Sequence, residues 1–347
     1  MIDKSQKSTP RLVTLILFAY NQESYVSEAI QSALNQDCDN LEIILSDDCS
    51  SDNTFIIMKK MAEAYIGKHS VKARQQSENK GLVNHVIEAS RCASGEFLVL
   101  AAGDDISYPN RARRLYEYWR EYRCSCINSR YDEIDVQGQK LRDNVRWGIC
   151  KDTQRIFKNS RIAVTKNGIA ANTVGFSAAY PREFWANLPL SSKRLMIEDG
   201  LATCLINCQG GQIHTVEESL LSYRIHEKSL SNRVNSLNRD SIIRRENRIN
   251  NGAHDIISRV DYIFMLNDKG VIYLDTTDKV MLGREKHYGE ILYEFWNLRY
   301  FERLMRILKS KSIRELSFVV PRCFGLEVFK GAKIFIGKLS NFIKLEF

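Results

Sequence analysis

Apolar and amphipathic stretches alternate along the first third of the chain. Apolar runs at 12–19, 41–45 and 97–101 lack the polar alternation of a half-exposed strand, so they predict strands covered on both faces. A shorter strand is expected at 71–75. The segments between these strands place apolar residues three and four positions apart, which predicts helices. This alternation predicts an α/β fold with a doubly wound, mostly parallel sheet flanked by helices.

Polar turns follow three of these strands, around Asn21, Asp48 and Asp104. Because parallel strands end at one edge of a doubly wound sheet, the three turns are expected to share the edge where such sheets bind ligands. In Gly103-Asp104-Asp105, two adjacent carboxylates beside a buried strand suit a divalent cation. The same residues are also ordinary turn chemistry ahead of a helix, and both interpretations stay open at this point.

Regular alternation weakens after Cys124. A strand is expected at 124–128, a hairpin edge with a glycine turn at 133–138, and a further strand at 173–180. Residues 144–161 are charged and show no periodicity, which predicts a mobile loop. The second half of the domain is therefore expected to be less regular than the first.

Composition narrows the class of protein. The 347 residues suffice for one large or two ordinary domains, and the net charge of +8 admits nucleic acid, anionic lipid or phosphorylated ligands. Nine scattered cysteines form no Cys-x-x-Cys pair and follow no signal peptide, so reduced cytoplasmic thiols are expected in place of disulfides or structural zinc. No apolar run reaches the length of about 18 residues that a membrane span needs.

The motifs that bind phosphate in common α/β nucleotide-binding proteins are missing. No Gly-x-Gly-x-x-Gly follows the first strand, and the chain contains no Gly-x-x-x-x-Gly-Lys-Ser/Thr segment. Ligand binding must therefore depend on the acidic turns. A carboxylate such as Asp48 can accept the ring N–H of a pyrimidine base, and aspartates at the Asp104-Asp105 turn can hold a metal that bridges phosphate oxygens.

Several short motifs, taken together, resemble the successive signatures of family 2 glycosyltransferases with the GT-A fold. In order, they are Ala-Tyr-Asn-Gln-Glu-Ser-Tyr-Val (19–26), Ala-Leu-Asn-Gln (33–36), Leu-Glu-Ile-Ile-Leu-Ser-Asp-Asp-Cys-Ser-Ser-Asp-Asn-Thr (41–54), Asn-Lys-Gly (79–81), Ala-Ser-Gly-Glu-Phe-Leu (93–98) and Gly-Asp-Asp (103–105). Each motif is short, whereas their order and spacing are specific. The resemblance ends near residue 231 and leaves about a third of the chain uncovered.

The resemblance implies a set of residues that bind the donor. Asp48 would contact the nucleotide base, Tyr20 would lie against that base, and Asp104 would lie near the ribose. Asp105 would bind Mg²⁺ or Mn²⁺ as the equivalent of the Asp-x-Asp motif. The full set of nucleotide-binding residues implied in this way is Ala19, Tyr20, Asn21, Asp48, Asn79, Lys80, Gly81 and Asp104.

Further residues are implied for the acceptor side. Acids at a helix start, such as Glu198 and Asp199, commonly cap the helix, but the resemblance assigns the general base to Asp199 and a supporting or acceptor-contacting role to Glu198. The segment Leu220–Ser231 resembles the Tyr-Arg-x-His end of such catalytic domains. His226 could complete the metal shell and Arg224 could neutralise the diphosphate, whereas the plainer interpretation is a polar exit from an edge strand.

The last third of the chain is basic. Residues 232–255 are rich in Asn, Arg and Asp, which indicates a linker or an exposed helix. Residues 300–347 carry ten Lys or Arg against four Glu, and a helix over 324–347 would oppose an apolar face with Phe335 and Phe342 to a lysine face. Such a helix suits an anionic membrane surface or packing on the catalytic domain. Nucleic acid is disfavoured, because the aromatic residues oppose the lysines.

These observations together predict an inverting glycosyltransferase that moves a sugar from a nucleotide donor, a UDP-sugar first of all, to a hydroxyl of a glycan or lipid-linked acceptor in surface polysaccharide biosynthesis. The expected catalytic domain is 1–231, with a donor half at about 10–123 and an acceptor half at about 124–231, followed by a mainly helical extension at 232–347. The expected location is the cytoplasm, with peripheral attachment to the inner face of the cell membrane through the extension.

Two other functions stay open from the sequence. A sugar nucleotidyltransferase also uses an α/β sheet with metal-binding acids, but it needs a basic, glycine-rich loop after the first strand, and residues 19–22 do not supply one. A non-catalytic, membrane-associated assembly protein with a degenerate sheet is the second alternative. Metal-dependent UDP binding would argue against the latter.

Overall fold

The computed structural model describes residues 13–146, 164–165, 168–169, 173–226 and 239–297. Its strands, in chain order, are β1 (Val13–Ala19), β2 (Leu41–Asp47), β3 (Ser70–Gln75), β4 (Phe97–Ala102), β5 (Ile106–Ser107), β6 (Cys126–Ile134), β7 (Lys140–Val145), β8 (Val164–Thr165), β9 (Gly168–Ile169), β10 (Ala179–Pro181) and β11 (Ile213–Arg224). Its α-helices are α1 (Val26–Leu34), α2 (Thr54–Ala64), α3 (Leu82–Cys92), α4 (Arg111–Tyr122), α5 (Arg182–Ala186), α6 (Glu198–Cys208), α7 (Arg239–Asp268) and α8 (Thr276–Asn297).

The first half of the main sheet is parallel and runs in the order β3-β2-β1-β4. Every residue of β1 and β2 is buried, because apolar helices cover both faces of these strands. Along β1, Leu15 and Leu17 belong to one apolar cluster while Ile16 and Phe18 belong to the cluster on the opposite face. The continuous apolar runs of the sequence are therefore strands that are covered on both faces, as predicted.

The register aligns the ends of the three central strands. Ala19 pairs with Asp47, and Phe18 pairs with both Ser46 and Ala102. The polar turns after β1, β2 and β4 consequently leave the sheet at the same edge, which confirms the expectation from the sequence. Backbone hydrogen bonds extend this alignment past the strands, since the Gly103 N–H donates to the Phe18 carbonyl at 2.8 Å.

The second half of the sheet is mixed. β10 lies antiparallel between β4 and β6, β11 is parallel to β6, and the two-residue β5 pairs with the outer side of β11. β7 forms a hairpin with β6. The plain interpretation of Leu220–Arg224 as an edge strand is wrong, because Leu221 and Ser222 pair with β5 on one side while β6 flanks the other.

Three local predictions for this half need correction. The strand expected at 124–128 is longer, since β6 runs from Cys126 to Ile134, whereas the hairpin with a glycine turn expected at 133–138 forms between β6 and β7, with Gly138 at a φ of 81°. The strand expected at 173–180 begins with a 3₁₀ turn, Gly175–Ser177, and only Ala179–Pro181 pairs in the sheet. Most of the loop expected at 144–161 lies outside the described residues, while Asn144 and Val145 end β7.

The described chain divides into two compact units. The first contains the described residues up to 226 together with Ser258–Leu282, and the second contains the described residues of 239–257 and 283–297. The predicted helical segment at 232–255 is helical from Arg239 onward as part of α7. In the part of the chain that the structure describes, no helix combines the length and apolar content needed to cross a membrane. The basic helix predicted at 324–347 lies outside the described residues.

Candidate active site

The turn after β1 is joined to the turn after β2. Asn21 has a left-handed backbone (φ 52°), a conformation that asparagine tolerates better than most residues. Its N–H donates to Ser50 Oγ at 2.8 Å, and its side-chain Oδ1 accepts the N–H of Ser51 at 2.8 Å. Tyr20, directly after Ala19, is 46% exposed, so its ring is available at this edge. The two turns form one wall of the candidate site.

Asp48 lies at the end of β2 with a buried side chain. Its N–H donates to the Ala19 carbonyl at 3.0 Å, and its Oδ1 accepts the N–H of Lys80 at 3.3 Å. Burial raises the pKa of Asp48 to about 6, although the Lys80 amide and the charge of Arg194 act in the opposite direction. Asp48 is thus a buried carboxylate that is ionised at neutral pH.

The 79–81 turn lies beside Asp48. Asn79 Oδ1 accepts the N–H of Gly81 at 3.2 Å, and Gly81 has a φ of 80°. A β-carbon at Gly81 would lie 2.7 Å from the Leu195 carbonyl oxygen, so glycine is required both by the backbone and by the space. The Lys80 ammonium lies 3.1 Å from Glu88 of α3. At this turn, the backbone of Lys80 contacts Asp48 while its charge is held by Glu88.

The Gly103-Asp104-Asp105 turn follows β4. A β-carbon at Gly103 would lie 2.8 Å from the Ala19 β-carbon and 2.6 Å from Gln22 Oε1, so glycine permits the close approach of the two strand ends. The buried Asp105 accepts the Arg224 N–H at Oδ1 (2.9 Å), whereas its Oδ2 has no hydrogen-bond partner among the described residues. Burial and the neighbouring Asp104 carboxylate raise the pKa of Asp105 well above its usual range.

His226 lies beside the same turn. Its Nε2 is 2.9 Å from Asp104 Oδ2, and its ring contacts that of Tyr25 with the ring centres 4.9 Å apart. Within the described ranges, no three His, Cys, Asp or Glu side chains are arranged as a complete metal site. The unsatisfied, buried Oδ2 of Asp105 nevertheless has the chemistry of a ligand for a hard cation.

Arg224 is a buried clamp. Its side chain is 2% exposed. Nε donates to the Asp104 carbonyl at 3.0 Å, Nη1 donates to the Asp135 carbonyl at 3.1 Å, and Nη2 donates to the Glu28 carboxylate. The role expected for this cation from the sequence was to neutralise a diphosphate, but the guanidinium contacts the Asp104 and Asp135 carbonyls and the Glu28 carboxylate of α1. The geometry of Arg224 therefore suits a residue that holds the Asp104-Asp105 turn in place.

Glu198 and Asp199 form the first turn of α6, after Ile197 in an extended conformation. Asp199 Oδ1 accepts the Gly200 N–H at 2.6 Å, and its carbonyl accepts the hydroxyl of Thr173 at 2.6 Å. The Glu198 carboxylate packs against Gly175 so closely that a β-carbon there would have no room. Both side chains are partly exposed, so these acids combine a helix-start position with access to solvent.

Two residues that support the site, Glu28 and Arg111, were not predicted from the sequence. Glu28 resembles any exposed acid on an amphipathic helix, and nothing in the sequence connects it with Arg224, which is 196 positions away. Arg111 is fully buried at the first position of α4. A cation at a helix N-terminus opposes the helix dipole, and this was the one local signal that could have drawn attention to Arg111.

Comparison with known proteins adds a family and a fold. Residues 14–188 match the family described as Glycosyl transferase family 2. A protein of Haemophilus influenzae named "Uncharacterized glycosyltransferase" is 25% identical over 309 residues, which cover 82% of this chain and 85% of that protein.

Two solved structures share the architecture. TarS 1-349 of S. aureus, in complex with UDP-GlcNAc, aligns with a TM-score of 0.51 at 19% identity and covers 89% of this chain and 79% of its own. Mannosyltransferase PcManGT from Pyrobaculum calidifontis, in complex with GDP-Man and Mn²⁺, aligns with a TM-score of 0.51 at 15% identity. The alignment covers 90% of this chain and 79% of that protein. At these identities the likeness concerns the fold, and it confirms the expected α/β architecture of the GT-A type.

Proposed function

Since this chain belongs to glycosyl transferase family 2, and is therefore a glycosyltransferase with a nucleotide-sugar donor, we propose that it transfers a sugar from a UDP-sugar, with inversion, to a hydroxyl of a glycan or lipid-linked acceptor. TarS and PcManGT were solved with UDP-GlcNAc and GDP-Man, so the fold accepts either base. The choice of UDP over GDP in this proposal is therefore argued from the residues of this chain. A role in surface polysaccharide biosynthesis is part of the proposal and depends on the family and the basic C-terminal segment.

The observation that carries the proposal is the arrangement of acids at one sheet edge. Register places Asp48 and the Asp104-Asp105 turn on either side of the end of β1, with the exposed ring of Tyr20 between them in the strand order. A carboxylate beside an aromatic ring suits a uracil base, whose ring N–H needs an acceptor and whose face can stack. The acids at the other turn suit the ribose and the metal-bound diphosphate.

Mg²⁺ or Mn²⁺ would be held by Asp105 Oδ2, with His226 beside it, and would neutralise the charge that develops on the departing diphosphate. The contact of 2.9 Å between His226 Nε2 and Asp104 Oδ2 would hold both side chains beside the donor. Arg224 fixes the backbone of the same turn from beneath.

On the acceptor side, Asp199 takes the proton of the acceptor hydroxyl as that oxygen bonds to the anomeric carbon of the sugar. The bond between the anomeric carbon and the diphosphate oxygen breaks in the same displacement, which inverts the configuration. Glu198, adjacent to Asp199 and fixed against Gly175, orients the acceptor or the base. The partly exposed position of both acids at the start of α6 supports these roles.

Thermal unfolding with UDP, in the presence and absence of Mn²⁺, tests the donor site. UDP should stabilise the wild-type protein only with Mn²⁺, by about 2.7 kcal/mol at a ligand concentration 100 times the dissociation constant. Asp105→Asn should lose this stabilisation, whereas Asp268→Asn, on the exposed C-terminal end of α7, should retain it. Retention by Asp105→Asn would exclude Asp105 as the metal ligand.

The variant Asp199→Asn tests the general base independently of the donor site. This variant should bind UDP and Mn²⁺ normally, because Asp199 has no role in donor binding. Its rate of UDP release from a UDP-sugar panel with acceptor extracts should fall by roughly 100- to 10,000-fold, as expected for loss of a general base. Near-normal turnover of Asp199→Asn would show that the base assignment is wrong.

A further inference from the structure

Arg111 is a fully buried cation with an unusual set of partners. Its Nη1 donates to Ser107 Oγ at 2.9 Å. Its Nη2 donates to two carbonyls at once, that of Leu100 in β4 at 2.6 Å and that of Phe176 at 2.8 Å. Burying a guanidinium costs several kcal/mol unless it is well paired, so its position at the start of α4 calls for a specific reason.

The first reason is the Asp104-Asp105 turn, because Arg111 donates to Leu100 before this turn and to Ser107 after it. Burial lowers the pKa of Arg111 to about 10, and the Asp105 carboxylate acts in the opposite direction. Arg111 Nε and Asp105 Oδ2 each have no hydrogen-bond partner among the described residues. Arg111 therefore holds both ends of the turn and leaves the Oδ2 atom of Asp105 available.

The second reason is the segment that Arg111 holds at Phe176. Residues 173–177 run past the first turn of α6, where Thr173 donates its hydroxyl to the Asp199 carbonyl and Gly175 receives the Glu198 carboxylate. The next carbonyl, that of Phe176, is the one bound by Arg111. A short chain of contacts thus leads from the two ends of the Asp104-Asp105 turn, Leu100 and Ser107, through Arg111 and the 173–177 segment to the acceptor-side acids.

We infer that Arg111 is a positioning residue that couples the Asp104-Asp105 turn to the acceptor-side acids through the 173–177 segment. The inference rests on the proposed function and adds the physical connection between its donor and acceptor sides. Donor binding orders the Asp104-Asp105 turn, Arg111 transmits that order to Phe176, and the segment fixes the first turn of α6. The base is consequently held in place when the donor is bound, which matters because small misplacements of reacting groups are costly.

A neighbour on α4 provides a matched control. Arg114, one turn further along, forms a forked ion pair with Glu218, and its side chain is 40% exposed. Replacing either arginine by lysine keeps the positive charge and removes the planar fork. Arg111→Lys cannot hold the Leu100 and Phe176 carbonyls in the same geometry, whereas Arg114→Lys alters only half-exposed pairs with Glu218 and Glu117.

Hydrogen–deuterium exchange with UDP and Mn²⁺ measures the coupling directly. In the wild type and in Arg114→Lys, the ligands should slow exchange in peptides covering 46–50 and 103–107, and also at 173–177 and 198–203, by about fivefold or more. In Arg111→Lys, the slowing at 46–50 should persist while that at 173–177 and 198–203 disappears. A merely structural role would change exchange without ligand and leave the ligand-induced difference intact.

Each other outcome is decisive. Ligand-induced slowing at 198–203 that survives in Arg111→Lys would overturn the inference, as would its absence in the wild type when 46–50 and 103–107 respond. No response at 46–50 and 103–107 in the wild type would instead contradict the proposed donor site.

If Arg111→Lys does not fold, Gly175→Ala tests the same connection from its other end. The added methyl group displaces the Glu198 carboxylate and leaves the buried cation untouched. Gly175→Ala should abolish ligand-induced slowing at 198–203 and keep it at 46–50. Retention of both responses would show that the 173–177 segment does not carry the coupling.

Discussion

At the scale of single residues, Asp48 and Asp105 show how two similar acids acquire different tasks. Both follow buried strands and both are buried themselves. Asp48 accepts the Lys80 N–H beside an exposed tyrosine, whereas Asp105 uses one oxygen for the Arg224 N–H and keeps the other unsatisfied. A base N–H needs a single acceptor, while a metal needs an oxygen that has no competing donor. The different surroundings of the two carboxylates therefore suit them to different roles.

Asp48 predicts a defined pH dependence of donor binding. Burial raises its pKa to about 6, so the carboxylate that accepts a base N–H is present above about pH 6 and is lost as the pH falls below it. The effect on folding has the opposite sign, because a raised pKa means that protonation relieves the cost of a buried charge. Donor affinity and folding stability should thus respond to Asp48 in opposite directions.

The ratio of UDP affinities of the wild type and Asp48→Asn isolates this group from the titration of UDP itself. With Mn²⁺ present, the ratio should be roughly tenfold at about pH 7.5, the value of one charge-assisted hydrogen bond, and should approach one near pH 5. Isothermal titration calorimetry at several pH values measures it. A ratio that does not change with pH would argue against Asp48 as the acceptor of the base N–H.

At the scale of elements, Arg224 joins pieces that are distant in sequence. It lies at the end of β11 and contacts the turn after β4, the hairpin turn between β6 and β7, and Glu28 of α1. Because Glu28 is 55% exposed, that ion pair contributes little. The backbone carbonyls of Asp104 and Asp135 depend on the guanidinium as a donor. Arg224 therefore stabilises the site mainly through its hydrogen bonds to backbone carbonyl groups.

Arg224→Met should lower the free energy of unfolding by about 3 kcal/mol, since at least two carbonyl groups lose a charged donor. The matched variant Arg113→Met removes an exposed pair with Asp37 and should cost less than about 1 kcal/mol. Urea unfolding monitored by circular dichroism compares them. Equal losses in the two variants would show that Arg224 does not act as a clamp.

The strands also differ in how well the sequence predicts them. β1, β2 and β4 are apolar on both faces, so a local pattern was enough to predict them. β11 begins with the polar segment Ile213–Ser219, and β5 has only two residues. Strands of this kind form because a neighbouring strand supplies hydrogen bonds. The local sequence does not show which strand that neighbour is.

At the scale of the whole molecule, the distribution of charge leads to a prediction about membranes. The basic segment 324–347 lies outside the described residues, and its contact with an anionic membrane surface stays a prediction from the sequence. Each lysine near such a surface contributes about 1 kcal/mol to binding. Membrane attachment of the full chain should therefore depend on these lysines and weaken with salt.

Replacement of Lys333 and Lys338 by glutamine in the full chain should weaken binding to vesicles with anionic phosphatidylserine by about 30-fold, the equivalent of about 2 kcal/mol. Vesicle sedimentation at low ionic strength measures the partition. The matched replacement of Lys59 and Lys60, on the exposed side of α2, should have a much smaller effect. Equal effects of the two pairs would contradict a specific membrane role for the C-terminal segment.

The sequence by itself determined the parallel half of the sheet and the convergence of Asn21, Asp48 and Asp104 at one edge. Burial on both faces and the parallel direction of strands follow from local apolar patterns and chain connectivity. Only the tertiary structure decided the partners of the buried charges. It placed Arg224 beneath the Asp104-Asp105 turn and Arg111 between that turn and Phe176. These pairings join residues far apart in the chain, and a hydrogen bond depends on distance in space, which local sequence patterns do not encode.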